Sequence, residues 1–241
     1  MKKREKELLT AVKRLSTSTE GFTDPKLVLI GGYALRAFVR FTRFTRDCDF
    51  IVRKKDGWNL DRIRLIMPED YSIEAEERHE SYRFMRWVKY VSYDKARIKV
   101  SLDFMEGEIR GRKPEEVILI DEAMVEGSRS AFISIAGEEV MFFVPSYADY
   151  FIMKVVSSRA SDIRDIASLV LENGIPEGVM ERVKEVLPNP KVFEDKLKRS
   201  VIPEIKRTTF LDSWRGIFAT TSYTDEGKKR VIERLEGLMR D

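Results

Sequence analysis

The chain has 241 residues and a formal net charge of +3; 43% of its residues are hydrophobic and 35% are charged. This composition excludes wholesale disorder and supports one large domain or two small ones, while so mild a charge does not by itself argue for a nucleic-acid partner. A single cysteine, Cys48, excludes an intramolecular disulfide and a cysteine-based zinc cluster, and a single histidine, His79, excludes a histidine-rich metal site. Carboxylates must therefore carry most of the chemistry.

The first segment of the chain predicts an amphipathic helix, because Leu8, Leu9, Val12 and Leu15 share one stripe at helical spacing. The segment starts basic but lacks the apolar core of a secretory signal. No apolar run in the sequence approaches the roughly 20 residues that span a bilayer. We therefore expect a cytoplasmic protein without a membrane partner.

The stretch 27–52 predicts a strand, a glycine turn, a helix and a second strand. The apolar run 27–30 is typical of a strand that is buried on both faces, and it ends at Gly31 and Gly32. The spacing of apolar residues over 33–41 then predicts a helix.

Two carboxylates mark the second strand of this stretch, 48–52. Asp47 and Asp49 are two positions apart, so their side chains leave the same face. The clean alternation over 97–105 predicts a half-buried strand with Asp103 on its polar face. Mg²⁺ prefers oxygen ligands, and carboxylates on neighbouring strands can hold two such ions about 3.5–4 Å apart. We therefore predict all three Asp residues as metal ligands and catalytic residues, with Asp103 as the proton acceptor.

Gly31 and Gly32 predict a phosphate-binding turn. Glycine lets the backbone approach a phosphate closely, and the free N–H groups of a following helix favour an anion. Turns and tight packing explain most glycine pairs taken alone. The combination with strand carboxylates indicates a nucleotide site.

The remaining patterns predict an α+β fold with a change of character near residue 145. Strand patterns occur over 82–91, 131–135 and 140–144. Beyond them only helical spacing is found, so we expect a core over 1–145 and an all-helical C-terminal part over 146–241.

A longer pattern joins these features. Its residues are Gly31-Gly32-Tyr33-Ala34, then Arg43-x-Thr45-x-Asp47-x-Asp49, then Asp103 on a later strand. This arrangement resembles the DNA polymerase beta superfamily of nucleotidyltransferases, and most closely its AbiEii-type toxins of toxin–antitoxin and phage-defence systems. The resemblance implies a mixed sheet flanked by helices, an NTP donor and Mg²⁺.

A second part of the resemblance lies downstream, where family members have a helical Lys followed by Arg and Asp residues that open the next helix. The corresponding residues are Lys154, Arg159, Asp162 and Asp165. The resemblance implies that Lys154 contacts the triphosphate and that Asp162 or Asp165 supports the site. The plain alternatives are a solvated helix face for Lys154, a first-turn acid favoured by the helix dipole for Asp162, and an ion pair with a nearby Arg for Asp165.

Three residues before the Asp pair are further predicted nucleotide contacts: Arg43, Thr45 and Arg46. Two positions depart from the family pattern. Cys48 replaces the usual aliphatic residue, which a small buried hydrophobe tolerates. Tyr33 stands where Ser or Thr is common, which argues against a hydroxyl contact to phosphate there.

These patterns predict a Mg²⁺-dependent nucleotidyltransferase that moves a nucleotidyl group from an NTP to a hydroxyl. The acceptor stays open between a tRNA end, a protein side chain and a small molecule, and the family context implies an antitoxin protein as partner. One alternative is a non-catalytic nucleotide-binding module that acts through a partner protein. Another is a helical RNA-binding protein, which rests only on basic C-terminal segments such as 196–199.

The charge content predicts high thermal stability. Charged residues reach 35%, against about 25% in ordinary soluble proteins, and such enrichment is typical of heat-adapted proteins. We expect calorimetry to give an unfolding midpoint above the mesophile range of about 45–65 °C. A midpoint inside that range would refute a heat-adapted source.

Overall fold

The computed structural model describes residues 2–54, 57–93 and 96–240. The helices are α1 Lys2–Ser18, α2 Gly31–Ala34, α3 Leu60–Ile66, α4 Glu122–Glu126, α5 Tyr147–Ser157, α6 Ala160–Asn173, α7 Val179–Val186, α8 Lys191–Lys196, α9 Ile202–Lys206, α10 Phe210–Phe218 and α11 Asp225–Gly237. The strands are β1 Leu27–Ile30, β2 Asp47–Val52, β3 Ser72–Arg78, β4 Arg83–Tyr93, β5 Ala96–Glu106, β6 Glu108–Arg110, β7 Val117–Leu119, β8 Arg129–Ile135 and β9 Glu138–Val144. A turn that the sequence predicts at 93–95 lies outside the described residues except for Tyr93.

The chain divides into two compact units. The first comprises Met1–Ala37, Thr45–Ile109 and Ile120–Pro145, and the second comprises Phe38–Phe44, Arg110–Leu119 and Ser146–Asp241. Two short segments therefore group with the C-terminal helices although they precede residue 145. The predicted domains, 1–145 and 146–241, stay a prediction, because compact packing does not show that either part folds alone.

The first unit contains a seven-stranded sheet in the order β3-β4-β5-β2-β1-β9-β8. β2 pairs in parallel with β5, and β1 in parallel with β9, while the other neighbours are antiparallel. The predicted mixed sheet is therefore confirmed. The apolar stripe of α1 is buried, as its spacing predicts, and α1 packs against β5 and β8.

Stacked aromatic rings fill the core beside the central strands. Phe50 of β2 lies 5.5 Å from Phe104 of β5 and 6.1 Å from Phe22 between ring centroids, and Phe142 of β9 stacks on Phe22 at 5.0 Å. All four side chains are buried. Because Phe50 alternates with Asp49 along β2, the face opposite this core carries the carboxylates.

β3 is a strand that the sequence pattern does not reveal. It runs through the charged stretch 74–78, which is typical of a solvated segment, and pairs with β4 in a register of Glu76 with Met85. It lies at the edge of the sheet and has a register shift between Ile73 and Ala75. An edge strand with charged side chains and a bulge is protected against pairing with other chains, so it needs no apolar alternation.

The predicted helix over 33–41 is wrong in extent. α2 ends at Ala34, and a 3₁₀ turn, Leu35–Ala37, completes the helical part. The segment 38–44 groups with the second unit, where Phe38 stacks on Tyr150 at 4.7 Å between centroids. These contacts outside the local segment hold the chain in a non-helical path.

The second unit is helical after residue 146, and the structure places no strand among the described residues 146–240. The spacing of apolar residues predicts helices over 147–157 and 179–186, and α5 and α7 have those bounds. The sequence predicts a helix over 192–205 that is interrupted at Pro203. The structure instead has a π-helical segment, Leu197–Val201, followed by α9 with the proline as its second residue. Helical backbone angles continue from α8 through this segment into α9, so Pro203 lies inside a continuous helical path in which a π-turn replaces the regular pattern just before the proline. The predicted all-helical C-terminal part is thus confirmed.

In the part of the chain that the structure describes, no helix is both long and apolar enough to cross a membrane.

Replacement of Phe50 by alanine tests the aromatic core. Phe50→Ala leaves a cavity among three packed rings, so we expect urea unfolding to show a loss of about 3–5 kcal/mol. Phe132→Ala on β8 is the matched control, because this ring is 69% exposed, and its change should stay within about 0.5 kcal/mol. Equal losses in the two variants would contradict the assigned core.

Candidate active site

The glycine turn is built against the residues that follow it. Gly31 adopts φ +66°, in the left-handed region that favours glycine. A Cβ at Gly31 would collide with the carboxylate of Asp49, and one at Gly32 would lie 2.7 Å from the Cβ of Thr45. Both glycines are therefore required sterically, because the turn holds Asp49 and Thr45 at contact distance.

The three predicted carboxylates lie on one face of the sheet. In the parallel pairing of β2 with β5, Asp49 stands beside Asp103, and Asp47 stands beside Ser101. Ser101 donates a hydrogen bond of 2.5 Å to Oδ1 of Asp47. Asp47 is exposed, Asp49 is half-buried and Asp103 is buried.

Asp103 is bound by a cation from the strand on its other side. Arg86 of β4 is its direct cross-strand partner, and the guanidinium donates from Nε to Oδ1 at 2.8 Å and from Nη2 to Oδ2 at 2.5 Å. Burial raises the pKa of Asp103 above its ordinary value, and Arg86 opposes that rise. The hydrogen bond to Asp103 in turn raises the pKa of Arg86.

Asp47 and Asp49 suit a divalent cation better than Asp103 does. They supply hard oxygen ligands from one strand face, and Mg²⁺ commonly takes one or two carboxylates plus phosphate oxygens. Among the described residues, no three His, Cys, Asp or Glu side chains are placed to hold a metal together. Asp103 lies beside Asp49 on the same face of the sheet, but both of its oxygens accept hydrogen bonds from Arg86.

The second unit contains a separate buried cluster of charges. The Nζ of Lys154 donates to Asp162 at 2.9 Å and to Asp165 at 2.8 Å. Arg43 binds the same Asp165 through Nε at 2.7 Å and Nη2 at 2.9 Å. Two cations thus meet two carboxylates, so the buried charge is balanced.

The pKa shifts in this cluster follow from burial and pairing. Burial alone lowers the pKa of Lys154, but Asp162 and Asp165 outweigh it and hold this pKa well above its usual value. Burial raises the pKa of Asp162, whereas Lys154 and a hydrogen bond from Ser157 bring it below its usual value. Lys154 and Asp162 are therefore both charged near neutral pH.

Residues 15–219 match the family described as the nucleotidyl transferase AbiEii toxin of type IV toxin–antitoxin systems. The chain belongs to the AbiEii family. It is accordingly a nucleotidyltransferase, and the resemblance carried by the glycine turn and the Asp pair is confirmed.

Two solved structures from Helicobacter pylori are similar in overall path. One is described as a candidate nucleotidyltransferase: it is 13% identical, the match covers 96% of this chain and 94% of that one, and the TM-score is 0.49. The other is JHP933, at 13% identity, with 97% and 92% covered and a TM-score of 0.47. None of the curated proteins compared with the chain matches it.

The predicted site residues of this AbiEii-family chain fall into two groups. The first unit brings together Gly31, Gly32, Thr45, Asp47, Asp49 and Asp103, with Arg46 exposed one position before Asp47. The second unit brings together Arg43, Lys154, Asp162 and Asp165. The roles of both groups in binding metal and nucleotide stay predictions. A triphosphate contact by Lys154 would require its ammonium group to exchange carboxylates for phosphate.

The two departures from the family pattern are both buried. Cys48 is fully buried, and burial raises the pKa of its thiol well above the usual value, so it serves as a small hydrophobe. Tyr33 is also fully buried, under the guanidinium of Arg36 at 4.6 Å, and its hydroxyl has no partner. A phosphate contact through that hydroxyl is therefore unsupported.

Two residues of the site escaped the sequence patterns. Ser101 could have been found, because it lies two positions before Asp103 on the same strand face. Arg86 could not, because its pairing with Asp103 depends on the register between β4 and β5.

Replacement of Lys154 tests the buried cluster. Lys154→Met leaves Asp162 and Asp165 without their shared cation, and breaking a buried pair typically costs about 3–5 kcal/mol of unfolding free energy. Lys198→Met is the control, because this lysine forms an exposed ion pair within one helix, and its cost should stay below about 1 kcal/mol.

The pH dependence of the stability difference between wild type and Lys154→Met provides an independent check of the buried cluster. The folded pKa of Asp162 is lowered, so its stabilising effect is present above its unfolded pKa of about 3.9 and is lost as the pH falls through the folded value. The difference in unfolding free energy between wild type and Lys154→Met should therefore become smaller below about pH 4. A gap that stays constant from pH 7 to pH 3 would contradict the pairing.

Proposed function

We propose that this AbiEii-family enzyme transfers a nucleotidyl group from an NTP to a hydroxyl acceptor in a Mg²⁺-dependent reaction. The observation that carries the proposal is the polar face of the sheet, where Asp47 and Asp49 lie at the start of β2, the strand after the glycine turn, and Asp49 stands beside Asp103 of β5. The carboxylates supply hard oxygen ligands, and the glycine turn lies in contact with one of them, Asp49.

Each residue of this face has a defined task in the proposed reaction. Asp47 and Asp49 hold the cation, and Ser101 orients Asp47 by donating to its Oδ1. Bound Mg²⁺ supplies charge stabilisation for the triphosphate. The acceptor oxygen forms a bond to the α-phosphorus, the bond to pyrophosphate breaks, and Asp103 takes the acceptor's proton once its ion pair with Arg86 opens.

The proposed substrates follow from the family rather than from the described surface. The family is described as a toxin of type IV toxin–antitoxin systems, which supports an RNA acceptor such as a tRNA end and an antitoxin protein as partner. The proposed cytoplasmic location is consistent with an RNA acceptor and with an antitoxin partner. NTP is the proposed donor, with Arg43, Thr45, Arg46 and Lys154 as proposed nucleotide contacts and Asp162 and Asp165 supporting Lys154.

A second candidate function is a nucleotide-binding module without turnover. The ion pair of Asp103 with Arg86 favours it, because a guanidinium occupies the carboxylate that would accept the proton. Calorimetric binding of NTP that needs no Mg²⁺, together with absent transfer, would select this alternative.

A transfer assay with α-labelled NTP tests the proposed reaction. We expect label on total RNA when Mg²⁺ is present, none with excess EDTA, and a loss of about 100-fold or more for Asp47→Asn/Asp49→Asn. Asp61→Asn is the matched control, because Asp61 pairs with Arg78 at a half-exposed position away from the carboxylate face.

The mass added to RNA and to protein after incubation with each NTP identifies the acceptor. Label on protein instead of RNA would replace the tRNA proposal. Equal activity of wild type and the double variant, or no transfer to RNA, protein or an aminoglycoside, would overturn the proposed function.

A further inference from the structure

Three charged side chains form a row across three adjacent strands. The order is Arg86 on β4, Asp103 on β5 and Asp49 on β2, because Asp103 is the register partner of both neighbours. The positive charge lies at one end of the row and the expected cation site at the other. Asp103 lies between Arg86 and the expected cation site and can bind to either.

We propose that Arg86 is a positioning residue that competes with a divalent cation for Asp103. With Arg86 in place, Asp47 and Asp49 hold one cation, and Asp103 joins a metal site only after the guanidinium leaves. The inference rests on the proposed function, since it assumes that Asp47 and Asp49 hold a cation.

The hydrogen bonds explain why the two states exclude each other. Both oxygens of Asp103 accept from the guanidinium at 2.8 Å and 2.5 Å. A metal cation bound to either oxygen of Asp103 would lie close to the positively charged guanidinium of Arg86, and the two like charges would repel each other. One of the two must therefore move.

The burial of the two side chains decides which one moves. The side chain of Asp103 is only 6% exposed, whereas that of Arg86 is 35% exposed. The pairing of β4 with β5 fixes the backbone of both residues, so only their side chains can move, and the arginine side chain is the longer and more exposed of the two. Arg86 can therefore swing into solvent, while Asp103 stays on the sheet.

Nucleotide binding would supply a new partner for Arg86. The planar fork of a guanidinium that fits a carboxylate also fits phosphate oxygens. A triphosphate held beside Asp47 and Asp49 thus offers Arg86 an exchange of anions without leaving its charge unpaired.

A simple sheet contact is the competing interpretation of the pair. Cross-strand pairs of opposite charge are common stabilising contacts. On the same sheet, Lys99 of β5 forms an ion pair with Glu74 of β3, across the intervening strand β4. That pair is about one-third exposed on both sides, whereas Asp103 is buried. Lys99 is consequently the matched control: it carries the same charge on the same strand face without contacting Asp103.

Mn²⁺ titration, by calorimetry and by the electron paramagnetic resonance signal of free Mn²⁺, tests the competition on the full chain without nucleotide. We expect Arg86→Gln to bind Mn²⁺ about tenfold tighter than wild type, or to gain a second ion. Adding Asp103→Asn to Arg86→Gln should abolish the gain. Asp103→Asn alone and Lys99→Gln should each change the affinity by less than about twofold.

Arg86→Lys keeps the experiment decisive if Arg86→Gln does not fold. Lysine preserves the charge but cannot bind both oxygens as a fork, so we expect a smaller gain in Mn²⁺ affinity in the same direction. Unfolding midpoints measured on the same samples separate metal binding from changes in stability.

Unchanged Mn²⁺ affinity in both Arg86 variants, or a gain that persists with Asp103→Asn, would overturn the competition. If wild type binds Mn²⁺ and Asp47→Asn/Asp49→Asn abolishes this binding, the proposed function survives that failure. Absence of Mn²⁺ binding in every variant would overturn the metal role of Asp47 and Asp49, and the competition with it.

Discussion

The parallel pairing of β2 with β5 is the constraint on which the rest of the site depends. It places residues 47 and 49 beside 101 and 103 over the whole length of β2. A slip by one residue would turn every side chain of β2 to the other face and move Phe50 from the aromatic core to the carboxylate face. One strand register therefore fixes both faces of the sheet: the packing of Phe50 in the aromatic core also holds Asp47 and Asp49 on the carboxylate face.

The glycine turn acts through sterics more than through a helix terminus. α2 has only four residues, so it offers little of the dipole that a long helix provides. The absence of Cβ atoms at Gly31 and Gly32 instead allows the turn to contact Asp49 and Thr45. This contact ties the end of β1 to the start of β2, where the carboxylates stand. The turn is thus part of the scaffold of the site.

Cations neutralise the buried carboxylates Asp103 and Asp165. Asp103 has Arg86, and Asp165 has both Arg43 and Lys154. A buried carboxylate without a partner would shift its pKa and become neutral, which would remove the ligand that a cation needs. The arginines and the lysine therefore maintain ionised carboxylates in low-dielectric surroundings. Around Asp103 this stabilisation also opposes metal binding, because the stabilising group is itself a cation.

The sequence by itself determined the local features of this nucleotidyltransferase: the strand before Gly31, the Asp pair on one strand face, the polar position of Asp103 and most helices of the second unit. These follow from periodicities of two and 3.6 residues, which act over short distances. Only the tertiary structure decided that 33–41 is not one helix, that β3 is a strand and that Arg86 binds Asp103. Each of these depends on contacts between segments distant in sequence, whose register and packing no local pattern contains.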